Sequence, residues 1–160
     1  MIKLFFSDVD GTLTDAGIYY TSEGVEFKKF NMRDGMGFEL LRKKGIETGI
    51  ITSEKTIITE LRAKKLKIDY IYQGKKFNSK LESIVSLCKS KDFDLSEVAY
   101  IGDDINCYDL LAKVGIAACP LDASDEIKKI PDIKIMNKNG GKGAVREFVN
   151  YLITNNLLFC

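Results

Sequence analysis

A chain of 160 residues is long enough to bury a core of its own, and 24 Lys plus Arg against 23 Asp plus Glu leave a formal net charge of +1, so no global field draws it to nucleic acid or to an anionic membrane. Its longest apolar runs, such as residues 46–51 interrupted by Glu47 and Thr48, are too short to cross a bilayer. Histidine is absent and Cys88, Cys107, Cys119 and Cys160 form no C-x-x-C pair, which excludes a histidine-activated nucleophile, a phosphohistidine route and an ordinary zinc site.

Residues 2–7 read as a buried strand that delivers Asp8, Asp10 and Gly11 at its carboxyl end. No apolar leader precedes that acidic pair, which points to a cytoplasmic protein. Residues 18–20 and 25–30 flank the turn-rich Thr21-Ser22-Glu23-Gly24 and predict a β-hairpin flap beside the acidic loop. Met36, Phe38, Leu40 and Leu41 follow a helical spacing that stops at Gly45, and a strand over 47–51 comes next. Helices near 56–66, 79–89, 107–114, 124–129 and 143–154 then alternate with strands at 70–72, 98–101, 115–118 and 133–135. That order predicts one α/β domain over residues 1–160, a Rossmann-like doubly wound parallel sheet covered by helices on both faces.

Ligands of such a sheet sit at the carboxyl ends of its strands. Those ends carry Asp8 and Asp10, then Thr52 and Ser53, then Gln73 with Lys80 shortly after, then Asp103 and Asp104. Carboxylates gathered at one edge repel each other unless a cation joins them, and an all-oxygen set suits Mg²⁺. Asp8 and Asp103 are the expected side-chain ligands, with the Asp10 carbonyl as a third donor and Asp104 direct or through water. With a phosphate present, Asp8 can attack phosphorus as an ionised carboxylate. Asp10, on the same face of an extended segment, can protonate the leaving oxygen and later deprotonate water. Thr52, Ser53, Lys80 and loop amides would share the phosphoryl charge.

The run Asp8-Val9-Asp10-Gly11-Thr12-Leu13-Thr14, followed by Thr52, a lysine opening a helix and Gly102-Asp103-Asp104, resembles in order the four motifs of the haloacid dehalogenase superfamily. The 11-to-52 spacing leaves no room for a cap domain. Phe30-Asn31-Met32-Arg33-Asp34-Gly35, Tyr72-Gln73-Gly74 and Gly140-Gly141-Lys142-Gly143-Ala144-Val145-Arg146-Glu147 resemble the capless 3-deoxy-ulosonate phosphate phosphatases. The resemblance implies a Mg²⁺-dependent phosphoric monoester hydrolase acting through an aspartyl-phosphate. It also implies a homotetramer in which hairpins associate and the Gly-rich stretch reaches a neighbour's site.

Within that family, Glu54 and Lys65 are similar to the pair carried by enzymes acting on nine-carbon substrates, 2-keto-3-deoxynononate 9-phosphate or N-acetylneuraminate 9-phosphate. This places the nine-carbon reading slightly ahead of 3-deoxy-manno-octulosonate 8-phosphate, although Glu54 also suits a helix's first turn and Lys65 a solvated surface. Arg33, Asp34 and Lys142 are further substrate-side candidates, while Arg33 and Asp34 also suit an ion pair at the hairpin's root. Two departures stand out. Cys107 replaces the family's aspartate, and the 74–80 loop is long enough for Lys75 or Lys76 to stand in for Lys80. Lys28 and Lys29 read as a solvated face, and Tyr19, Tyr20, Phe27 and Phe30 as an oligomer interface. The rival readings are a receiver domain, whose phospho-acceptor would lie on the third strand rather than the first, and a catalytically silent oligomerisation domain, against which both Asp8 and Asp10 are retained.

Overall fold

A computed structural model describes residues 1–74 and 79–159. The strand Leu4–Ser7 (β1) is buried throughout and alternates its side chains between two cores. Phe5 packs with Phe38, Leu41, Phe148, Val149 and Leu152, whereas Leu4 and Phe6 pack with Ile84, Leu87, Val98 and Leu110. Both faces of the sheet are therefore covered, as the near-continuous apolar run of a parallel strand requires. Phe5 meets Phe38 edge to face at a centroid separation of 5.8 Å, a favoured aromatic geometry.

After β1 come the short strands Tyr19–Tyr20 (β2) and Glu26–Phe27 (β3), helix Met32–Lys43 (α1), strand Glu47–Thr52 (β4), helix Ile57–Leu66 (α2) and strand Tyr70–Gln73 (β5). Helix Lys80–Lys91 (α3), strand Val98–Ile101 (β6), helix Tyr108–Leu111 (α4) and strand Ile116–Cys119 (β7) follow. Helix Asp125–Lys128 (α5), strand Lys134–Ile135 (β8) and helix Ala144–Thr154 (α6) complete the order. Among the described residues the main sheet has six strands in the order β5-β4-β1-β6-β7-β8, every pair parallel. The chain leaves β1 in one direction through β4 and β5, then returns to its other side with β6. β1 thus stands at the topological switch point, where open α/β sheets bind ligands.

Polar caps set the helix starts. Asn31 accepts from the Arg33 N–H, Thr56 from Thr59 and Ser79 from Glu82, each cap contributing about 1 kcal/mol. The Asn31 cap opens α1 four residues ahead of the first apolar position in its periodic pattern. The expected helix over 107–114 is shorter, a 3₁₀ turn at Ile105–Cys107 followed by α4. Another difference concerns the stretch over 140–143, which the resemblance implies reaches a neighbour's site. It is folded onto its own chain: Gly140 N–H donates to Asp122, Gly141 N–H donates to the Thr12 carbonyl, and Asn31 donates to the Gly141 carbonyl. A Cβ at Gly140 would fall 1.9 Å from the Gly11 carbonyl oxygen, so the glycine serves close packing rather than freedom.

Candidate active site

Ser7 of β1 pairs with Ile50 of β4 and with Ile101 of β6, so Asp8, Thr52 and Asp103 emerge side by side within two residues of that row. The loop after β1 is tight, with the Val9 carbonyl accepting from the N–H groups of Thr12, Leu13 and Thr14. Gly11 holds φ +82°, and a Cβ there would lie 1.9 Å from Asp103 Oδ2. Only glycine lets this turn come so close to the second acidic loop. The result is a cleft of about 320 Å³ lined by Asp8, Asp10, Thr52, Ser53, Glu54, Asp103, Asp104 and Asn106, with Ala16 and Ile18 from the hairpin side.

Asp8 is buried. Its Oδ1 accepts from the Val9 N–H at 2.8 Å, and its Oδ2 lies 2.8 Å from Lys80 Nζ and accepts from the Cys107 thiol at 2.9 Å. Lys80 is the motif lysine that the structure brings to Asp8; Lys75 and Lys76 lie outside the described residues. Burial alone would lower the Lys80 pKa, but the charge of Asp8 and the hydrogen bonds to Asp8 and Cys107 outweigh it and the net shift is upward. Cys107 also accepts from Lys80 at 3.2 Å and from the Tyr100 hydroxyl at 3.1 Å. Burial, together with Asp8, pushes its thiol up to about 12, so at neutral pH it is an uncharged donor where the resemblance implies a carboxylate.

Across the cleft, Asp103 receives a long contact from the Thr12 hydroxyl at 3.4 Å. Burial, then Asp8, then Asp104 raise its pKa to about 7. One ligand atom each from Asp8, Asp103 and Cys107 lie within 4.8 Å of one another. The negative charge of Asp8 and Asp103, offset by Lys80 beside Asp8, fits an oxygen-preferring divalent cation. Thr52 Oγ1 accepts from the Glu54 N–H at 3.2 Å and points toward Asp10 Oδ2 at 3.5 Å. Ser53 and Asn106 meet at 3.4 Å over the rim.

The other candidates lie elsewhere on the protomer. Asp34 is buried in α1, and its Oδ1 accepts from the Arg146 N–H at 2.8 Å, tying α1 to the start of α6. Arg33 is exposed on the first turn of α1 and makes no ion pair with Asp34 among the described residues. Lys65 is exposed on the last turn of α2, and Lys142 is exposed beside Lys29 and Asp15. None of these four lines the cleft.

One residue of the site was missed by the sequence reading. Lys28, expected on a solvated face, places Nζ 2.7 Å from Asp10 Oδ1, with its side chain 1% exposed. Its signal was the alternation after the hairpin turn, which sets Glu26 and Lys28 on one face and the aromatic Phe27 on the other.

A family model described as haloacid dehalogenase-like hydrolase matches residues 50–148. Among curated proteins, the 3-deoxy-D-manno-octulosonate 8-phosphate phosphatase of Yersinia pestis is 35% identical over 153 residues, covering 95% of this chain and 80% of that protein. The enzyme of the same description from Escherichia coli K12 is 37% identical over 153 residues, covering 95% and 79%. Among solved structures, the Moraxella catarrhalis phosphatase in complex with magnesium, phosphate and KDO superposes with a TM-score of 0.90 at 39% identity, covering 97% of this chain and 88% of that one. The cobalt-bound phosphatase of Haemophilus influenzae gives 0.87 at 31% identity, covering 96% and 88%.

Proposed function

The chain belongs to the haloacid dehalogenase-like hydrolases, as a capless phosphoric monoester hydrolase, and on that premise we propose that it removes the terminal phosphate of a 3-deoxy-2-ulosonic acid phosphate, 3-deoxy-manno-octulosonate 8-phosphate first among them. The observation that carries the reading is the Asp8–Lys80 ion pair at a cleft that Asp10 and Asp103 also line, in a chain this similar to phosphatases of that name along nearly its whole length. The preference for a nine-carbon substrate gives way. The relatives compared are eight-carbon enzymes, and of the pair that suggested nine carbons only Glu54 borders the cleft while Lys65 stands away from it.

Mg²⁺ is the cofactor. The Asp8 and Asp103 carboxylates with the Asp10 carbonyl would hold it, and when bound it supplies positive charge against the phosphoryl oxygens. Asp8 attacks phosphorus while Asp10 gives its proton to the departing alkoxide; Asp10 then takes a proton from the water that attacks the aspartyl-phosphate. Lys80 holds Asp8 in place, and it shares the phosphoryl charge with Thr52 and Ser53. Arg33, Glu54, Lys65 and Lys142 remain substrate-side proposals, those outside the cleft acting only through a neighbouring subunit of a homotetramer; Asp34, buried and bound to the Arg146 N–H, ties α1 to α6 instead.

The test is phosphate release from a panel that sets the eight-carbon sugar phosphate beside both nine-carbon ones and a simple hexose phosphate. The eight-carbon compound should give the highest kcat/KM. A preference for either nine-carbon compound would reverse the substrate order, and turnover no better than on the hexose phosphate would remove the ulosonate reading.

A further inference from the structure

We propose that Lys28 is a positioning residue that fixes which oxygen of Asp10 carries the proton to the leaving group. The inference rests on the phosphatase reading above. Lys28 follows the exposed ribbon of β2 and β3, between Phe27 at 53% exposure and Lys29, whose side chain is also 53% exposed. Its own side chain turns inward and is almost wholly covered. Nζ lies 2.7 Å from Asp10 Oδ1 and 3.6 Å from Glu26 Oε1.

The ammonium is enclosed while the Asp10 and Glu26 side chains stay 30% and 26% exposed, and the cost of desolvating the ammonium offsets part of its attraction to them. Stability alone therefore does not account for a lysine here rather than an apolar side chain. Nor is its charge free to attract an anionic substrate, since two carboxylates already face it. What the geometry does provide is a distinction between the two oxygens of Asp10. Oδ1 is occupied by the ammonium. Oδ2 faces the Thr52 hydroxyl at 3.5 Å, a group proposed above to share the phosphoryl charge.

With Oδ1 held, the acid form of Asp10 keeps its proton on Oδ2. As Asp8 bonds to phosphorus, the bond from phosphorus to the sugar oxygen breaks and its electron pair stays on that oxygen. The oxygen takes the proton from Oδ2, and the carboxylate left behind is stabilised by Lys28. In the second step water attacks phosphorus and gives a proton to the same Oδ2, while the bond from phosphorus to Asp8 breaks. A lysine beside the flap thus aims a proton that a loop aspartate carries.

Lys28→Met, Lys28→Gln and Lys28→Arg separate this role from a structural one. Single-turnover kinetics would be measured on 3-deoxy-manno-octulosonate 8-phosphate, whose leaving alkoxide needs a proton, and on p-nitrophenyl phosphate, whose leaving group does not. Thermal melts and light scattering on the same samples select the neutral variant that keeps the wild-type fold and mass. In that variant the sugar phosphate should lose roughly 10²-fold or more in the first step with KM little changed. The aryl phosphate should lose only a few-fold, and Lys28→Arg should recover part of the deficit. Equal losses on both substrates, or undiminished turnover of the sugar phosphate, would overturn the inference while leaving the phosphatase reading intact. A wild-type enzyme inactive on every phosphomonoester would remove both.

Discussion

Cys107 Sγ donates a hydrogen bond of 2.9 Å to Oδ2 of Asp8, the oxygen that Lys80 also holds at 2.8 Å. A carboxylate at this position would give Lys80 a second anionic partner and would add negative charge beside Asp8 and Asp103. The thiol keeps the contacts and omits the charge, leaving the site one formal negative charge short of what the family resemblance implies. Asp8 and Lys80 therefore form a nearly exclusive ion pair.

Restoring that charge should be measurable. Cys107→Asp is expected to bind Mg²⁺ roughly 10-fold or more tightly by calorimetry, the usual scale for groups that orient metal ligands. It should also melt lower than wild type in excess chelator and recover when Mg²⁺ is added, because the added carboxylate repels Asp8 and Asp103 until a cation joins them. A variant with unchanged Mg²⁺ affinity would show that Cys107 does not influence the metal.

Asp8→Asn should abolish phosphate release, since an amide cannot serve as the anionic nucleophile. Two effects on stability compete in this variant. Losing a carboxylate relieves Asp103, but it also leaves the Lys80 ammonium buried without its ion pair, a change that typically costs ~3–5 kcal/mol. The second effect is the larger, so the melting temperature should fall. From the sequence alone, with the Lys80 contact unseen, the expectation is little loss. A rise in melting temperature would mean that carboxylate repulsion outweighs the pair.

How far the site could be read in the sequence follows from what each residue does. Asp8, Thr52 and Asp103 end strands whose apolar runs are plain, and a parallel sheet with β1 at its switch point must bring those ends together. Lys28 was hidden because a lysine beside an aromatic ribbon normally points to water, and only the contact with Asp10 shows that the polar face is the inner one. The glycines at 140, 141 and 143 give the same signal for mobility as for close approach. The 1.9 Å clearance at Gly140 decides it for close approach. Asp34 was legible as important but not as what it is, since its partner is a backbone N–H at Arg146, 112 residues away.

Asp34 also sets a pH dependence. Burial is the largest influence on its carboxyl, and although the N–H groups of Arg146 and Gly143 hold it back, its pKa rises from 3.8 to about 6. A raised carboxyl pKa means the folded state binds the proton more tightly than the unfolded state. Stability from this group is therefore greatest below about pH 4, falls as pH climbs toward 6, and stays reduced above it. The difference is on the order of 3 kcal/mol, taking about 1.4 kcal/mol per unit. Asp34→Asn keeps an oxygen for the Arg146 N–H and does not titrate. Measured against wild type by urea unfolding, the variant should gain relative stability as pH rises from 4 to 7. A constant difference across that range would mean the Asp34 carboxyl titrates normally.

β2 and β3 pair over only two residues each, with Tyr19 opposite Phe27 and Tyr20 opposite Glu26, and such a ribbon is marginal by itself. Tyr19, Val25 and Phe27, on one face of the ribbon, are nevertheless all more than half exposed, forming an apolar patch of the kind that marks an interface. Truncating the chain after residue 138, the direct test of a reaching Gly-rich tail, would remove α6 and its fully buried Phe148, Val149 and Leu152, so it would unfold the protein. Phe27→Glu leaves the core intact and places charge in the ribbon's outer face. Wild type is expected to scatter light as a tetramer and Phe27→Glu as a smaller species. If a neighbour helps to enclose the sugar acid, KM for the sugar phosphate should rise in the variant well beyond any change for an aryl phosphate that has no carboxylate. A wild-type monomer with full activity, or a smaller species whose two KM values move together, would show that each cleft works without its neighbour.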